Sequence, residues 1–246
     1  SNTFSNFNSK YPIYADLHTH SISSGHGSED TITDMIRCAS ESGLSLFGIS
    51  DHGPATSSSA KPSYFQSLKL ADRDRFGIRV LYGAELNIIN TAGDVDLDDE
   101  ILSALDYAII SIHPPIFKPY HDKDLSSAYI RAMDHPKVRF LGHIDDARFP
   151  VDFEYLLEIA KEKHVYPEIN NGSLMPDAYR INGQENCRRI LSICKKLDLP
   201  VLLSSDSHGK KNIGNMQYIF PLLEELDFPA HLVLNSDLSV LSEIIR

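Results

Sequence analysis

The feature that most constrains the fold is an alternation of short apolar runs with segments of helical periodicity along most of the chain. Such alternation is typical of proteins built from successive βα units. The predicted strands span residues 13–20, 44–50, 79–86, 106–112, 138–142, 165–170 and 200–205. Helical segments are predicted from about Thr31 and over about 63–75 (or an irregular segment), 123–133, 153–160, 187–194, 215–226 and 238–245. The pattern predicts an α/β fold with a parallel, barrel-like sheet, although periodicity alone does not separate a closed barrel from an open sheet.

Local signals refine this prediction at a few positions. Thr31 with Asp34 forms a candidate capping box, and Asp152 is a candidate N-cap. Cys187 and Cys194 lie seven residues apart on one apolar helical face, which favours core positions. Residues 87–97 are expected to form a small hairpin that turns at Gly93.

The first predicted strand contains the pattern His-x-His. It ends in Asp16-Leu17-His18-Thr19-His20, and His26 follows in the next loop. Side chains alternate across a strand, so His18 and His20 face the same way, with Asp16 two residues back on that face. Two imidazoles there can bind one divalent metal, whereas chance or core filling remains the alternative for the pair alone.

Histidines and carboxylates recur at the ends of the later strands, where parallel α/β domains collect their functional groups. The candidate metal ligands are His18, His20, His26, His52, Glu85, His113, His143, Asp206 and His208. This set is too large for one tetrahedral site and fits two or three ions, with zinc, manganese or iron suited to the donors. Paired metals roughly 3.5–4 Å apart are typical of enzymes that hydrolyse phosphate esters.

Charge and cysteine content limit the partners. A net charge of −11 argues against general binding to nucleic acid or anionic membranes, but bound metals would still permit an anionic substrate. No apolar run approaches the about 18 residues of a membrane span, and no basic start precedes an apolar signal core. Three widely spaced cysteines favour free thiols, so we expect a cytoplasmic protein that acts on a small molecule.

The spacing of these motifs resembles that of the PHP (polymerase and histidinol phosphatase) domain family of metal-dependent phosphoesterases. The matching motifs are Asp16-Leu17-His18-Thr19-His20 with His26, Ser50-Asp51-His52-Gly53, Gly83-Ala84-Glu85, Ile112-His113, Gly142-His143 and Ser205-Asp206-Ser207-His208. Glu168-Ile169-Asn170-Asn171 and Glu185-Asn186-Cys187-Arg188 are similar to a stand-alone bacterial subgroup with a three-zinc site. The resemblance implies a distorted (β/α)7 barrel, TIM-barrel-like, in one domain over residues 11–246 after a flexible segment over 1–10.

The resemblance also implies an activity and a ligand assignment. A metal-bound hydroxide would hydrolyse a small-molecule phosphomonoester, with Glu85, Asp206 and His208 as catalytic residues. The first metal would take His18, His20, Glu85 and Asp206; the second would share Glu85 and add His113 and His143; the third would take His26, His52 and His208. Zinc is the expected ion, with manganese or iron as alternatives.

Two alternative roles remain for each of several residues near the predicted ligands. Arg180, and less strongly Arg148, could hold the substrate phosphate with a two-pronged guanidinium, and the alternative is a surface arginine. Asp16 and Asp51 could orient ligand imidazoles, and a solvated or capping carboxylate is the alternative.

Other functions remain open at this stage. The substrate could be histidinol phosphate or a nucleotide. An amidohydrolase also begins with His-x-His, but it often bridges its metals with a modified lysine, and none lies beside Glu85 or His113. A non-catalytic module, as found attached to DNA polymerases, is disfavoured by the full ligand set.

Overall fold

The chain folds around a sheet of parallel strands flanked by helices. The computed structural model describes residues 8–117 and 123–246. The strands are β1 (Ala15–Asp16), β2 (Thr19–His20), β3 (Leu46–Ile49), β4 (Asp74–Arg75), β5 (Ile78–Asn87), β6 (Tyr107–Ser111), β7 (Val138–Leu141), β8 (Tyr166–Asn170), β9 (Leu202–Ser204) and β10 (Ser207–His208). The helices are α1 (Ile32–Glu41), α2 (Pro62–Ser67), α3 (Asp99–Ala104), α4 (Ser126–Ala132), α5 (Phe153–Lys163), α6 (Gly183–Leu197), α7 (Phe220–Glu225) and α8 (Leu238–Ile245).

The strands form a nearly closed barrel of seven parallel units. The main sheet runs β1-β3-β5-β6-β7-β8-β9, and β4 adds an antiparallel edge to the start of β5. Beyond β1 and β9 the chain continues into β2 and β10, which pair with each other in parallel, His208 opposite His20. This second pairing brings the two ends of the sheet together, so the predicted distorted (β/α)7 barrel is confirmed.

The predicted first strand is interrupted rather than continuous. Strand β1 pairs with β3, whereas β2 pairs with β10, so the chain changes partner across Leu17 and His18. The last predicted strand, over 200–205, is followed by a second short strand that was not predicted, because Asp206 adopts a positive φ of 54° between β9 and β10. Both breaks lie at the carboxyl edge of the barrel.

The predicted local signals are largely confirmed. Thr31 and Asp34 form both halves of a capping box on α1, and the Asp152 side chain accepts from the Tyr155 N–H at the start of α5. A bridge between Ile88 and Val95 supports the predicted hairpin.

The structure adds detail to the helix predictions at three places. Helix α3 was not predicted, because only six residues give too little periodicity. The segment 63–75 contains a short helix, a 3₁₀ turn and strand β4, and α7 begins at Phe220 rather than near residue 215.

Of the predicted N-terminal segment 1–10, residues 1–7 lie outside the described part, while Lys10 forms an ion pair with Asp227 at 2.7 Å.

The interior of the barrel is polar at the carboxyl ends of the strands, where the candidate ligands lie, and apolar away from those ends. Leu17, Leu81, Tyr107 and Phe140 are among the buried side chains of one apolar cluster, which α8 also joins. A larger cluster includes residues of both the sheet and the surrounding helices, among them Cys187 and Cys194, whose core prediction is confirmed. Among the described helices, none combines the length and apolar character that crossing a membrane requires.

Candidate metal centre

Glu85, at the end of β5, lies at the centre of the histidine cluster. It is 1% exposed, and its two carboxylate oxygens face different histidines. Oε1 lies 3.1 Å from His18, 3.3 Å from His20 and 3.2 Å from His52. Oε2 lies 3.3 Å from His113 and 3.1 Å from His143, and it also accepts from the Ser111 hydroxyl. A carboxylate placed between two groups of imidazoles has the geometry of a bridging ligand.

Asp206 supplies a second carboxylate to the same cluster. Its Oδ1 lies 3.2 Å from His18 Nε2 and 3.0 Å from His20 Nε2. Its other oxygen accepts from Arg180 Nη2 at 2.9 Å and Asn170 Nδ2 at 3.1 Å. Oδ1 is thereby directed at the histidines while Oδ2 is fixed by the protein.

The remaining histidines form a stack at one edge of the site. The ring of His20 lies 4.2 Å from that of His52 and 4.3 Å from that of His208, measured between centroids. His26, in an exposed loop, lies 5.0 Å from His52 and 5.3 Å from His208. All nine candidate ligands therefore lie at one end of the barrel.

The geometry agrees with the predicted grouping in part. Within the described residues, atoms close enough to share an ion form three groups: His18, His20, Glu85 and Asp206; His52, Glu85 and His113; and His20, His52 and His208. The first group matches the predicted first site. His143 Nε2 lies 3.0 Å from His113 Nε2, which leaves it near the second, whereas His26 lies outside the third group. The assignment of each ligand to an ion stays a prediction.

Buried polar atoms without partners test whether metals fit this site. His18 Nε2, His20 Nε2, His52 Nδ1 and Asp206 Oδ1 are buried and have no hydrogen-bond partner in the described chain. An unpartnered buried polar atom costs about 1–3 kcal/mol, and here four of them converge. Their convergence fits the donor set of divalent metal ions, which would satisfy all of these atoms.

Hydrogen bonds from outside the cluster orient the ligand rings. His18 Nδ1 lies 2.6 Å from Glu168 Oε2, and Glu168 Oε1 accepts from the backbone N–H of His143 at 2.9 Å. His113 Nδ1 lies 2.7 Å from Asn87 Oδ1. Such contacts fix the tautomer and direct the other nitrogen towards a metal.

The two aspartates singled out from sequence have different roles. Asp51 accepts from Ser24, whose oxygen lies 2.9 Å from His20 Nδ1, so it acts on His20 through one hydroxyl. Asp16 instead accepts from Ser205 and the Gly214 N–H and makes no hydrogen bond to His18. Glu168 holds the position beside His18 that was considered for Asp16.

The electrostatics divide the histidines into two kinds. Burial would lower the pKa of His18, but the carboxylates of Glu168, Asp206 and Glu85 outweigh it and raise the pKa well above its usual range. Burial is likewise outweighed at His20, where Asp206 and Glu85 raise the pKa to about 9. Metal binding at these rings must therefore displace protons.

At the edge of the site the shift has the opposite sign. Burial, together with the neighbouring His20, lowers the pKa of His52 well below its usual range and that of His208 to about 4. Both rings are neutral near pH 7 and are available as ligands without losing a proton.

The two predicted substrate arginines reach the site but are already paired. Arg180 is 8% exposed and, besides Asp206, donates to Ser173 Oγ at 3.0 Å. Arg148 forms a two-pronged pair with Asp146, with Nη2 2.7 Å from Oδ2. Neither is a free surface arginine, and their predicted contact with phosphate stays a prediction.

A pocket of about 400 Å³ opens beside the cluster. His26, His52, His113, His143, Asp206 and His208 form part of its wall, and Arg148, Tyr179 and Arg180 also line it. The candidate ligands are therefore accessible to a small molecule.

Comparison with known proteins places this arrangement among related sequences. Residues 16–172 match the PHP domain family. The chain is 37% identical over 237 residues to a protein of Clostridium acetobutylicum named probable phosphatase, covering 96% of this chain and 95% of the relative. A protein of Acetivibrio thermocellus with the same name is 34% identical over 231 residues, covering 94% of each.

The fold is also similar to that of a solved structure. Histidinol phosphate phosphatase from Lactococcus lactis, complexed with zinc, L-histidinol and phosphate, gives a TM-score of 0.60 at 20% identity. The match covers 87% of this chain and 94% of that one.

Proposed function

Because the chain belongs to the PHP domain family, we propose that it is a metal-dependent phosphatase that hydrolyses a small phosphomonoester. The observation that carries the proposal is Glu85, whose two oxygens lie within 3.3 Å of five imidazoles. A bridging carboxylate of this kind supports paired metals, which are the usual apparatus for displacement at phosphorus.

The ligand set supports three divalent ions, with zinc as the first choice. The first would be held by His18, His20, Glu85 and Asp206, which also form one group in the structure. By the family's ligand pattern, the second would be held by Glu85, His113 and His143, and the third by His26, His52 and His208. Imidazole and carboxylate donors without cysteine also suit manganese and iron.

The protein's own groups prepare the site for a phosphate. When bound, the ions would lower the pKa of a coordinated water and neutralise charge on the phosphate. Arg180 holds Asp206 in place, while Glu168 orients His18 and the backbone of His143. Burial lowers the pKa of His52 and His208, so their neutral rings can hold an ion without first releasing a proton.

Arg148 and Arg180 support binding of the phosphate in different ways. Arg180 is buried against Asp206, so its main contribution is to position that ligand. Arg148 is partly exposed at the pocket and retains one guanidinium nitrogen, Nη1, that Asp146 does not occupy. Arg148 is therefore the better placed of the two to contact an entering anion.

The proposed cytoplasmic location rests on composition and on the state of the cysteines. All three cysteines are free and buried, which is compatible with a reducing cytoplasm. The substrate is proposed to be a small molecule, and histidinol phosphate is the alternative against which an ester of an uncharged alcohol must be compared.

The experiment compares phosphatase and amidase activity on one zinc-loaded preparation. We expect release of phosphate that stops on chelation and returns with zinc. Hydrolysis of amides without phosphate release would contradict the proposal and favour an amidohydrolase.

A further inference from the structure

We propose that the pocket contains a leaving-group subsite that prefers an uncharged, planar ring. The subsite consists of an apolar wall, defined here as Ile112, Pro114, Pro115 and Ile116, together with the ring of Tyr179. This inference rests on the proposed phosphatase function, because it concerns the alcohol from which the phosphate is removed.

The pocket is larger than a phosphate requires. Its volume of about 400 Å³ lies within the about 300–1,000 Å³ of pockets that hold small-molecule ligands. A phosphate group has only five non-hydrogen atoms, so the pocket also has room for the group attached to it. The side chains around this remaining space decide which alcohols fit.

The apolar wall is directly connected to the metal centre. It includes the residues on both sides of His113 in sequence, so a group lying on it is adjacent to a candidate ligand. The loop is fixed at its far end, where the Phe117 N–H donates to the His113 carbonyl at 2.9 Å and the Phe117 ring packs edge-on against Phe149. Pro114 and Pro115 are exposed and have no N–H, so they offer no donor to sugar hydroxyls.

Tyr179 contributes an aromatic surface at the rim. It is 68% exposed although it lines the pocket, which leaves a large ring open to solvent. The guanidinium carbons of Arg148 and Arg180 lie 5.6 and 5.2 Å from its ring centroid, within cation–π distance. Both arginines are paired with carboxylates, so the ring lies against two guanidinium groups that are themselves anchored.

The charges near the subsite are already matched. Arg148 pairs with Asp146, and Arg180 pairs with Asp206. Of the two carboxylates among the described lining residues, Asp146 is paired with Arg148, and Asp206 gives Oδ2 to Arg180 and directs Oδ1 at the candidate metal ligands, so neither is a free partner for an ammonium group at the apolar wall. An uncharged ring gains apolar contact here without losing an ion pair, whereas a cationic alcohol loses hydration without a counter-charge.

Hydroxyl side chains also line the pocket. Thr56, Ser57 and Ser58 line it together with Gly25 and His26. The two loops are in close contact, since a Cβ added to Gly25 would lie 2.2 Å from the Ser58 carbonyl oxygen. Thr56 lies beside the metal centre, because its Oγ1 accepts from Asn87 Nδ2 at 3.0 Å and Asn87 Oδ1 lies 2.7 Å from the candidate ligand His113.

The test compares esters on wild type and Tyr179→Ala. The substrates are 2-naphthyl phosphate, phenyl phosphate, glycerol 3-phosphate and L-histidinol phosphate, with inorganic phosphate as a competitive inhibitor. Naphthol and phenol have similar acidity, and the variant-to-wild-type ratio for each ester cancels its intrinsic reactivity. We expect wild type to have a lower KM for the naphthyl than for the phenyl ester. We also expect Tyr179→Ala to raise KM for the naphthyl ester roughly three- to tenfold.

Controls separate the subsite from general damage. Tyr179→Phe should retain the low KM, and Tyr155→Ala, which removes a similarly exposed tyrosine from α5, should behave as wild type. Inhibition by inorganic phosphate should be unchanged in all variants. An equal KM increase for glycerol 3-phosphate, or a lower KM for L-histidinol phosphate than for the aryl esters, would overturn the ring preference alone. Absence of hydrolysis of every ester would instead overturn the phosphatase proposal, and this inference with it.

Discussion

Replacing Glu168 by glutamine should weaken two metal sites at once, although Glu168 is not itself a candidate ligand. Its Oε2 lies 2.6 Å from His18 Nδ1, and its Oε1 accepts from the His143 N–H and from Asn170 Nδ2, each at 2.9 Å. A glutamine has one acceptor oxygen, so its NH₂ group must face either His18 or the two other donors. The variant therefore loses at least one hydrogen bond to a buried charge, worth about 1.5–3 kcal/mol.

The expected result is a roughly 10- to 100-fold loss of affinity for the ions held through His18 and His143. Competition with a chromophoric chelator gives the affinities, and the melting temperature of the metal-free protein reports on the fold. Glu158→Gln on the exposed face of α5 is the matched control, because it removes the same charge away from the site. Metal affinities equal to wild type in Glu168→Gln, with an intact fold, would refute the orienting role.

Three further predictions concern single residues of the same region. Glu85→Gln should abolish most phosphatase activity while leaving the fold intact, since a neutral amide bridges two cations poorly; turnover within a few-fold of wild type at full metal loading would contradict the bridging role. His52→Ala should lose one ion and weaken inhibition by phosphate, and loss of that ion with unchanged kinetics would show it to be incidental. The side chain of Asp145 is buried without a hydrogen-bond partner, and burial raises its pKa to about 6 from an ordinary 3.8. The ionised carboxylate therefore destabilises the native state above pH 6, and this penalty disappears as the pH falls towards 3.8. Asp145→Asn should therefore stabilise the metal-free protein at pH 7.5 by about 1–3 kcal/mol, which would raise its melting temperature, and should stabilise it much less at pH 4.5. An equal gain at both pH values would exclude an ionic cause.

The position of the candidate ligands could be predicted from sequence because each one except His26 lies at or just after the end of a short apolar run. The end of a strand is a local signal, and in a parallel sheet all such ends meet at one edge. His18, Glu85 and Asp206 are far apart in the chain but needed no long-range information beyond the strand order. The precise start of α7 and the existence of α3 were missed because short helices carry little periodicity.

The supporting contacts could not be predicted in the same way. Glu168 meets His18 across 150 residues, and the choice between Asp16 and Glu168 depends on which side of the ring each carboxylate reaches. One signal was present, since Glu168 and Asn170 lie two residues apart at the end of one strand and so share a face. The pairing of Arg180 with Asp206 was equally hidden, because a loop arginine gives no indication of its partner.

The central claim, that the Glu85 cluster holds several catalytic metal ions, is tested most directly by titrating metal back into stripped protein. Zinc would be added in known equivalents to chelator-treated enzyme, with bound metal and release of phosphate measured on the same samples. We expect activity to rise only as more than one equivalent binds and to reach its maximum near three, the number of ligand groups in the cluster. Full activity at one equivalent or without metal would contradict the account.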